Sequence, residues 1–177
     1  NIKIIGVEPE GAQCMKEALK FGKPVELSKV STIADGTAVK LAGQRTFELL
    51  NGVIDEIVTV SDYELMDAFL VLVEKHKLIA ETSGILTLAG LQKIKEKGKK
   101  VVSIVSGGNI DVLTISSMIT KGLVSRGRIF SFSVDLTDKP GELVKVSEIL
   151  STQNANVIKL NHNQFKNLDR FTHVQLE

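Results

Sequence analysis

A chain of 177 residues is long enough to bury one sizeable core or two smaller ones. Its 22 basic and 21 acidic side chains leave a net charge of +1, too balanced to mark a nucleic-acid footprint or an anionic membrane surface as a partner. A single cysteine excludes an internal disulfide framework, and no apolar run approaches the roughly 20 residues of a membrane span, so a reducing cytoplasm is the expected location.

Residues 2–7 read as a strand, 11–21 as a helix with Met15, Ala18 and Leu19 inward, and 43–51 as a second helix. "EIVTV" (56–60) is a strand. The following "SDYE" is a capping box, in which Ser61 accepts from the amide three residues on and Glu64 reaches back. It opens a helix carrying Leu65, Met66, Phe69 and Val73. "ETSGILTLAGLQKI" is a further helical stretch, rich in small residues that permit close packing, and the lysine run after it reads as a solvated helix end.

In "VVSIVSGGNID" (101–111), Val101, Val102, Ile104 and Val105 form a short apolar run of β-formers that predicts a central strand covered on both faces. It stops at Ser106-Gly107-Gly108. Helical spacing then resumes at Val112, Ile115, Met118 and Ile119. A strand, a glycine turn and a helix can be plain chain reversal, or can bring backbone close to a ligand at the carboxyl end of a strand. Strands alternating with helices predict an α/β fold with a mostly parallel sheet.

Around "SRGR" (125–128) the pattern changes, which divides the chain into 1–125 and 126–177. Phe130, Phe132, Val134 and Leu136 alternate with polar residues, as in a half-buried antiparallel strand. "TDKPGE" places Pro140 at a helix start, with Leu143, Val146, Ile149 and Leu150 on one face. "NANVIKLNH" and "FTHVQLE" add two strands, giving β-α-β-β, the first part of a ferredoxin-like unit. The chain opens and closes in strand-like sequence without polar tails, the pattern expected of a segment of a longer protein.

Four pieces in order, "IIGVEPEGA" (4–12), "TIADG" (32–36), "ETSG" (81–84) and "SGGNID" (106–111), resemble the carboxyl-terminal half of the catalytic domain of the threonine ammonia-lyase (threonine dehydratase) family. The "TDKPGELVKVSEIL" and "NANVIKL" segments resemble the start of an ACT domain, a small amino-acid-sensing module. The resemblance implies a pyridoxal phosphate fold-type II domain, tryptophan synthase β-like, followed by a partial ACT domain. It implies β-elimination of L-threonine, and of L-serine, to 2-oxobutanoate or pyruvate and ammonia, in isoleucine biosynthesis or threonine catabolism by a homo-oligomer, dimer or tetramer.

In that family the serine of the "SGGN" loop stands beside the ring nitrogen of the cofactor, which maps to Ser106 with Gly107 next to it. Gly36 maps to backbone passing near the cofactor, with an Asp-Gly turn as the alternative reading. Glu81 maps to an acidic position near the ring, with a carboxylate at a helix N-terminus as its alternative. Some relatives bind a divalent cation through positions matching Glu8, the Ala12 carbonyl and position 14. Here Cys14 is a soft thiol that suits neither magnesium nor calcium, so a weakened site or none is expected, and a buried core cysteine serves as well. His76, His162 and His173 share no metal-ligand spacing.

An effector such as isoleucine or valine would lie against Asp138, Pro140, Gly141 and Asn156, unless the module is only a dimer platform. No lysine here stands in a matching Schiff-base context. The chain by itself is therefore expected not to catalyse, and a non-catalytic amino-acid-binding regulatory or oligomerisation module is the alternative function.

Overall fold

The computed structural model describes residues 2–95, 98–163 and 173–176, which divide into two compact units, Asn1–Arg128 and Ile129–Glu177. In the first unit β1 (Ile5–Pro9) pairs in parallel with β2 (Glu56–Val60), in register from Ile5 opposite Glu56 to Pro9 opposite Val60. Between them run α1 (Cys14–Phe21), a long loop and α2 (Gln44–Leu50). The α1–α2 side closes over a small cluster of Cys14, Ala18, Ala42 and Phe47, with Met15 and Leu19 packed against it.

The helix α3 (Asp62–Val71) starts where the capping box predicts. Ser61 Oγ accepts from Glu64 N at 3.3 Å, and Glu64 Oε2 accepts from Ser61 N at 2.8 Å. Leu65 and Phe69 are wholly buried in the main core with Val60, Ile85 and Met118. Each such side chain contributes about 1.5–3 kcal/mol by leaving water. A π-helical turn, Leu72–His76, ends α3 at Lys77, whose φ is +58°. The small-residue stretch is broken into two short 3₁₀ turns around α4 (Leu86–Gly90). Its close packing is real: a Cβ on Gly90 would meet Val7 Cγ2 at 2.7 Å.

The helix α5 (Val112–Ser125) is capped by Asp111, which accepts from Thr114 N at 2.9 Å. Met118 is buried and Ile115 and Ile119 pack on the core, whereas Val112 faces outward. Beyond it Arg126 joins Asp67 at 2.6 Å and Glu74 at 3.2 Å, and Arg128 also pairs with Glu74.

Residues 101–105 overturn one expectation. They form no strand; Val102 is 89% and Ile104 71% exposed. A continuous apolar run becomes a central strand only where strands pair on both its edges, and none of the described residues does so. The segment is held instead by Thr87, whose Oγ1 donates to Ile104 O at 2.5 Å and accepts from Ser103 Oγ at 3.0 Å. A cavity of about 630 Å³ separates it from β1, lined by Ile5, Val7, Leu91, Ile94, Val101 and Val102 among others.

The second unit contains β3 (Val134–Thr137), α6 (Glu142–Thr152), β4 (His162–Asn163) and β5 (His173–Leu176). β5 lies between β3 and β4, antiparallel to both, the order β3-β5-β4 of a ferredoxin-like unit. The strands are shorter than the alternation predicts. Phe130 and Phe132 precede β3 and stack on each other at 5.8 Å, and of the "NANVIKLNH" stretch only His162 is in β4. On α6 Val146 and Leu150 are half-buried, while Leu143 and Ile149 are exposed. The "FTHVQLE" strand falls partly outside the described residues.

Candidate functional site

Three loops of the first unit meet. The loop at 32–37 is tied to the start of α3: Thr32 Oγ1 donates to Asp62 Oδ1 at 2.7 Å, and Ile33 N donates to the same carboxylate at 3.2 Å. It is tied to the 81–84 turn by Thr82, whose Oγ1 donates to Ile33 O at 2.7 Å. The 81–84 turn is in turn joined to the "SGG" loop by two backbone bonds, Glu81 N to Gly107 O and Ser106 N to Gly84 O, both 3.1 Å. Gly36, Glu81, Ser106 and Gly107, some 70 residues apart along the chain, are thereby brought into one cluster.

Bare glycine faces make that convergence possible. Gly107 has φ +72°, and a Cβ there would stand 2.0 Å from Glu81 Oε1, so the carboxylate lies against the glycine backbone. A Cβ on Gly84 would stand 1.4 Å from Ser106 O. Gly36 faces Ser83, with 2.9 Å from its notional Cβ to Ser83 Oγ. Ser106 is exposed and its hydroxyl makes no hydrogen bond among the described residues, leaving a donor and an acceptor for a ligand. Ser83 Oγ is buried without a partner among the described residues.

Sequence reasoning reached Glu81 of the "ETSG" turn but passed over Thr82, Ser83 and Gly84. It also missed Asp62, which stands inside the recognised capping box. The signal for Asp62 was its place in the first turn of a helix, where a carboxylate can accept from a neighbouring loop.

Glu8, Ala12 and Cys14 lie together at the start of α1. Glu8 Oε1 accepts from Met15 N and Oε2 from Lys16 N, each at 2.8 Å, with Cys14 Sγ 3.8 Å from Oε1. Glu8 thus serves the unsatisfied amides of the helix start. Burial pushes the Cys14 thiol above its usual range, and the Glu8 carboxylate adds to the shift. Ala12 is buried, its amide donating to Pro9 O at 3.0 Å. Among the described residues no cluster of three or more His, Cys, Asp or Glu could hold a metal ion.

In the second unit Asp138, Pro140 and Gly141 line a concavity of about 280 Å³ with Lys139, Glu142 and His162. Asn156, expected beside them, is exposed and is not among the residues lining it. Gly141 stands at φ +95° as the N-cap of α6 and gives that helix no side-chain cap.

The glycine-faced junction of three loops stands on a parallel α/β scaffold. The family model "Pyridoxal-phosphate dependent enzyme" matches residues 1–107, and the chain belongs to that family. The L-threonine ammonia-lyase of Thermotoga maritima is 41% identical over 165 residues, which is 93% of this chain and 41% of that protein. The L-threonine ammonia-lyase of Geobacter sulfurreducens is 37% identical over 166 residues, again 93% and 41% of the two chains. Among solved structures, the processed form of threonine deaminase isoform 2 from Solanum lycopersicum is 37% identical with a TM-score of 0.63, over 68% of this chain and 36% of that one. Maize serine racemase is 30% identical with a TM-score of 0.58, over 68% and 40%. The chain spans about two fifths of the length of the curated relatives it matches. Its first unit corresponds to part of a fold-type II domain.

Proposed function

We propose that this chain is part of a pyridoxal phosphate-dependent threonine ammonia-lyase, which converts L-threonine to 2-oxobutanoate and ammonia and L-serine to pyruvate and ammonia. The observation that carries the reading is the junction of Gly36, Glu81, Ser106 and Gly107, where the exposed Ser106 hydroxyl stands on a loop packed against the Glu81 carboxylate. The names of the relatives support the substrate.

Pyridoxal phosphate, when bound, supplies the electron sink for amino-acid chemistry at the α-carbon. Ser106 would hold the ring nitrogen with a neutral hydroxyl, which can donate to an unprotonated nitrogen but cannot retain a proton on it as a carboxylate would. A neutral partner at Ser106 would limit electron withdrawal into the ring and so would favour elimination over return of a proton to the α-carbon. Gly36 and Gly107, closed on Ser83 and on the Glu81 carboxylate, would draw the loops together around the cofactor. Glu81, held by its amide to Gly107 O, places a carboxylate at the edge of the site.

In this reading the second unit is an ACT module that answers isoleucine or valine in a homo-oligomer. Its concavity carries acids, Asp138 and Glu142, beside the base Lys139, a charge set that suits an amino-acid zwitterion. Asp138 and Gly141 form its wall, and Asn156 stands outside it. The single cysteine and the balanced charge suit a cytoplasmic enzyme. No helix among the described residues is long and apolar enough to cross a membrane.

The test is the full-length protein supplied with pyridoxal phosphate and L-threonine, with 2-oxobutanoate and ammonia measured together. Equal release of both supports the reading. Saturable cofactor binding without either product overturns the substrate, and absence of cofactor binding overturns the reading altogether.

A further inference from the structure

β1 has a sheet edge to which no strand is paired among the described residues. Glu10 N donates to Val60 O at 2.8 Å and Asp55 N to Ile4 O at 2.9 Å, so the even-numbered residues of this stretch turn their backbone groups to β2. Backbone direction alternates along a strand, and Ile5 and Val7 therefore turn theirs to the opposite edge. Amide and carbonyl groups on an open edge need partners, and such an edge is a template for another strand.

The cavity of about 630 Å³ lies along that edge, with Ile5 and Val7 on one side and Val101, Val102 and Ser103 on the other. α4 covers it, since Gly90 and Leu91 line it and a Cβ on Gly90 would meet Val7 Cγ2 at 2.7 Å. The far side carries a contradiction of its own. Val101, Val102, Ile104 and Val105 are β-formers of the kind found in covered strands, yet all four are exposed. The tethers of Ile104 O and Ser103 Oγ to Thr87 hold the segment in place without giving it a ladder. An open strand edge and an unpaired β-forming run, on the two sides of one apolar gap, fit a single strand between them. The lysines in the lining do not oppose this. Lys3 reaches Glu56 at 2.8 Å, and Lys99 and Lys100 precede the apolar run, on stems long enough to carry their charges to water.

We infer that this gap is a strand-acceptor slot, filled by an extended apolar segment from the part of the full-length protein outside this chain. The relatives supply the length, since the chain spans 41% of the Thermotoga maritima and Geobacter sulfurreducens proteins. A strand of five or six residues, about 17–20 Å long, matches the five residues of β1. A second copy of this chain is a poor occupant, because its β1 is paired with β2 and its β3, β4 and β5 with one another. Once seated, the segment turns residues 101–105 into the strand that their composition predicts. The inference rests on the chain being part of a longer protein and not on the reaction proposed above; its test reads no activity, so either can fail while the other stands.

The experiment uses the full-length protein. Amide hydrogen exchange should show protection of at least about a hundredfold over the unfolded chain at Ile5, at Val7 and at one or other of Val101 and Val102. Val102→Cys is then treated with a maleimide, and labelling at position 102 is read by peptide mass spectrometry. The new thiol should react at least about a hundredfold more slowly than in urea, at a rate that dilution leaves unchanged. Exchange at Ile5 and Val7, or at both Val101 and Val102, as fast as in the unfolded chain overturns the inference, whatever shields the thiol. So does a thiol that reacts as it does in urea, and so does protection that falls on dilution, which assigns the slot to a second copy. If the cysteine variant does not fold, amide exchange of the unsubstituted protein decides the matter by the same criteria.

Discussion

Replacing Gly84 by alanine should take the candidate site apart. The new Cβ would stand 1.4 Å from Ser106 O and 2.5 Å from Ser106 C, both backbone atoms that cannot swing aside as a side chain does. Ordinary contact between such atoms needs about 3.5 Å, so the "SGG" loop must retreat by about 2 Å. That displacement breaks both bonds joining the loops, Ser106 N to Gly84 O and Glu81 N to Gly107 O. Two lost backbone bonds at about 0.5–1.5 kcal/mol each, with overpacking of about 1–3 kcal/mol, outweigh the roughly 0.4–1 kcal/mol gained from a stiffer unfolded chain. The net expectation is a destabilisation of about 2–4 kcal/mol.

Gly108→Ala is the control, because nothing lies within 4 Å of its notional Cβ, and it should change stability by no more than about 0.5 kcal/mol. Urea unfolding of the full-length protein measures the stability change, and amide hydrogen exchange at Glu81 and Ser106 reports the joint itself. A Gly84→Ala protein within 0.5 kcal/mol of wild type, with both amides still protected, would refute the reasoning.

Other outcomes follow from the same structure. Ser106→Asp in the full-length enzyme should put a carboxylate where a neutral hydroxyl stands, slowing ammonia release and raising the share of transamination; an unchanged product ratio would remove Ser106 from the ring nitrogen. Arg126 holds the Asp67 carboxyl below the usual range near pH 4, so its contribution is complete above that value and is lost as pH falls through the depressed one. Asp67→Asn should therefore lower the melting temperature at pH 7, and the difference should shrink as pH falls through the depressed value, which thermal scans across pH would check. Ser61→Ala removes the acceptor at the start of α3 and should cost about 1 kcal/mol in urea unfolding, whereas Ser61→Thr should retain most of it.

Local signals were the legible ones. The capping box at Ser61 and Glu64, the strand at Glu56–Val60 and the helix after Asp111 depend on residues within a few positions of one another, so the sequence displays them directly. Ser106 and Gly107 stood out at the end of an apolar run, whereas Gly36 and Glu81 were singled out by the family resemblance. The apolar run at 101–105 shows the limit of such reading. Its composition states what environment it is suited to, while pairing depends on strands elsewhere, and the described residues leave it exposed.

What the sequence alone determined, then, was the order of the elements outside residues 101–105 and the caps at Ser61 and Asp111, all set by short-range sterics and hydrogen bonding. Only the tertiary structure decided that Thr82 reaches Ile33, that Asp62 holds Thr32, and that Gly84 lies on Ser106. It also decided that Glu8 caps α1 and that Asn156 stands outside the concavity of Asp138 and Gly141. Contacts between residues tens of positions apart follow from how helices pack on the sheet, and neither partner's neighbours along the chain carry that information. The Ser83 hydroxyl is of the same kind, since a serine's need for a partner is written in its side chain but the lack of one among the described residues exists only in three dimensions.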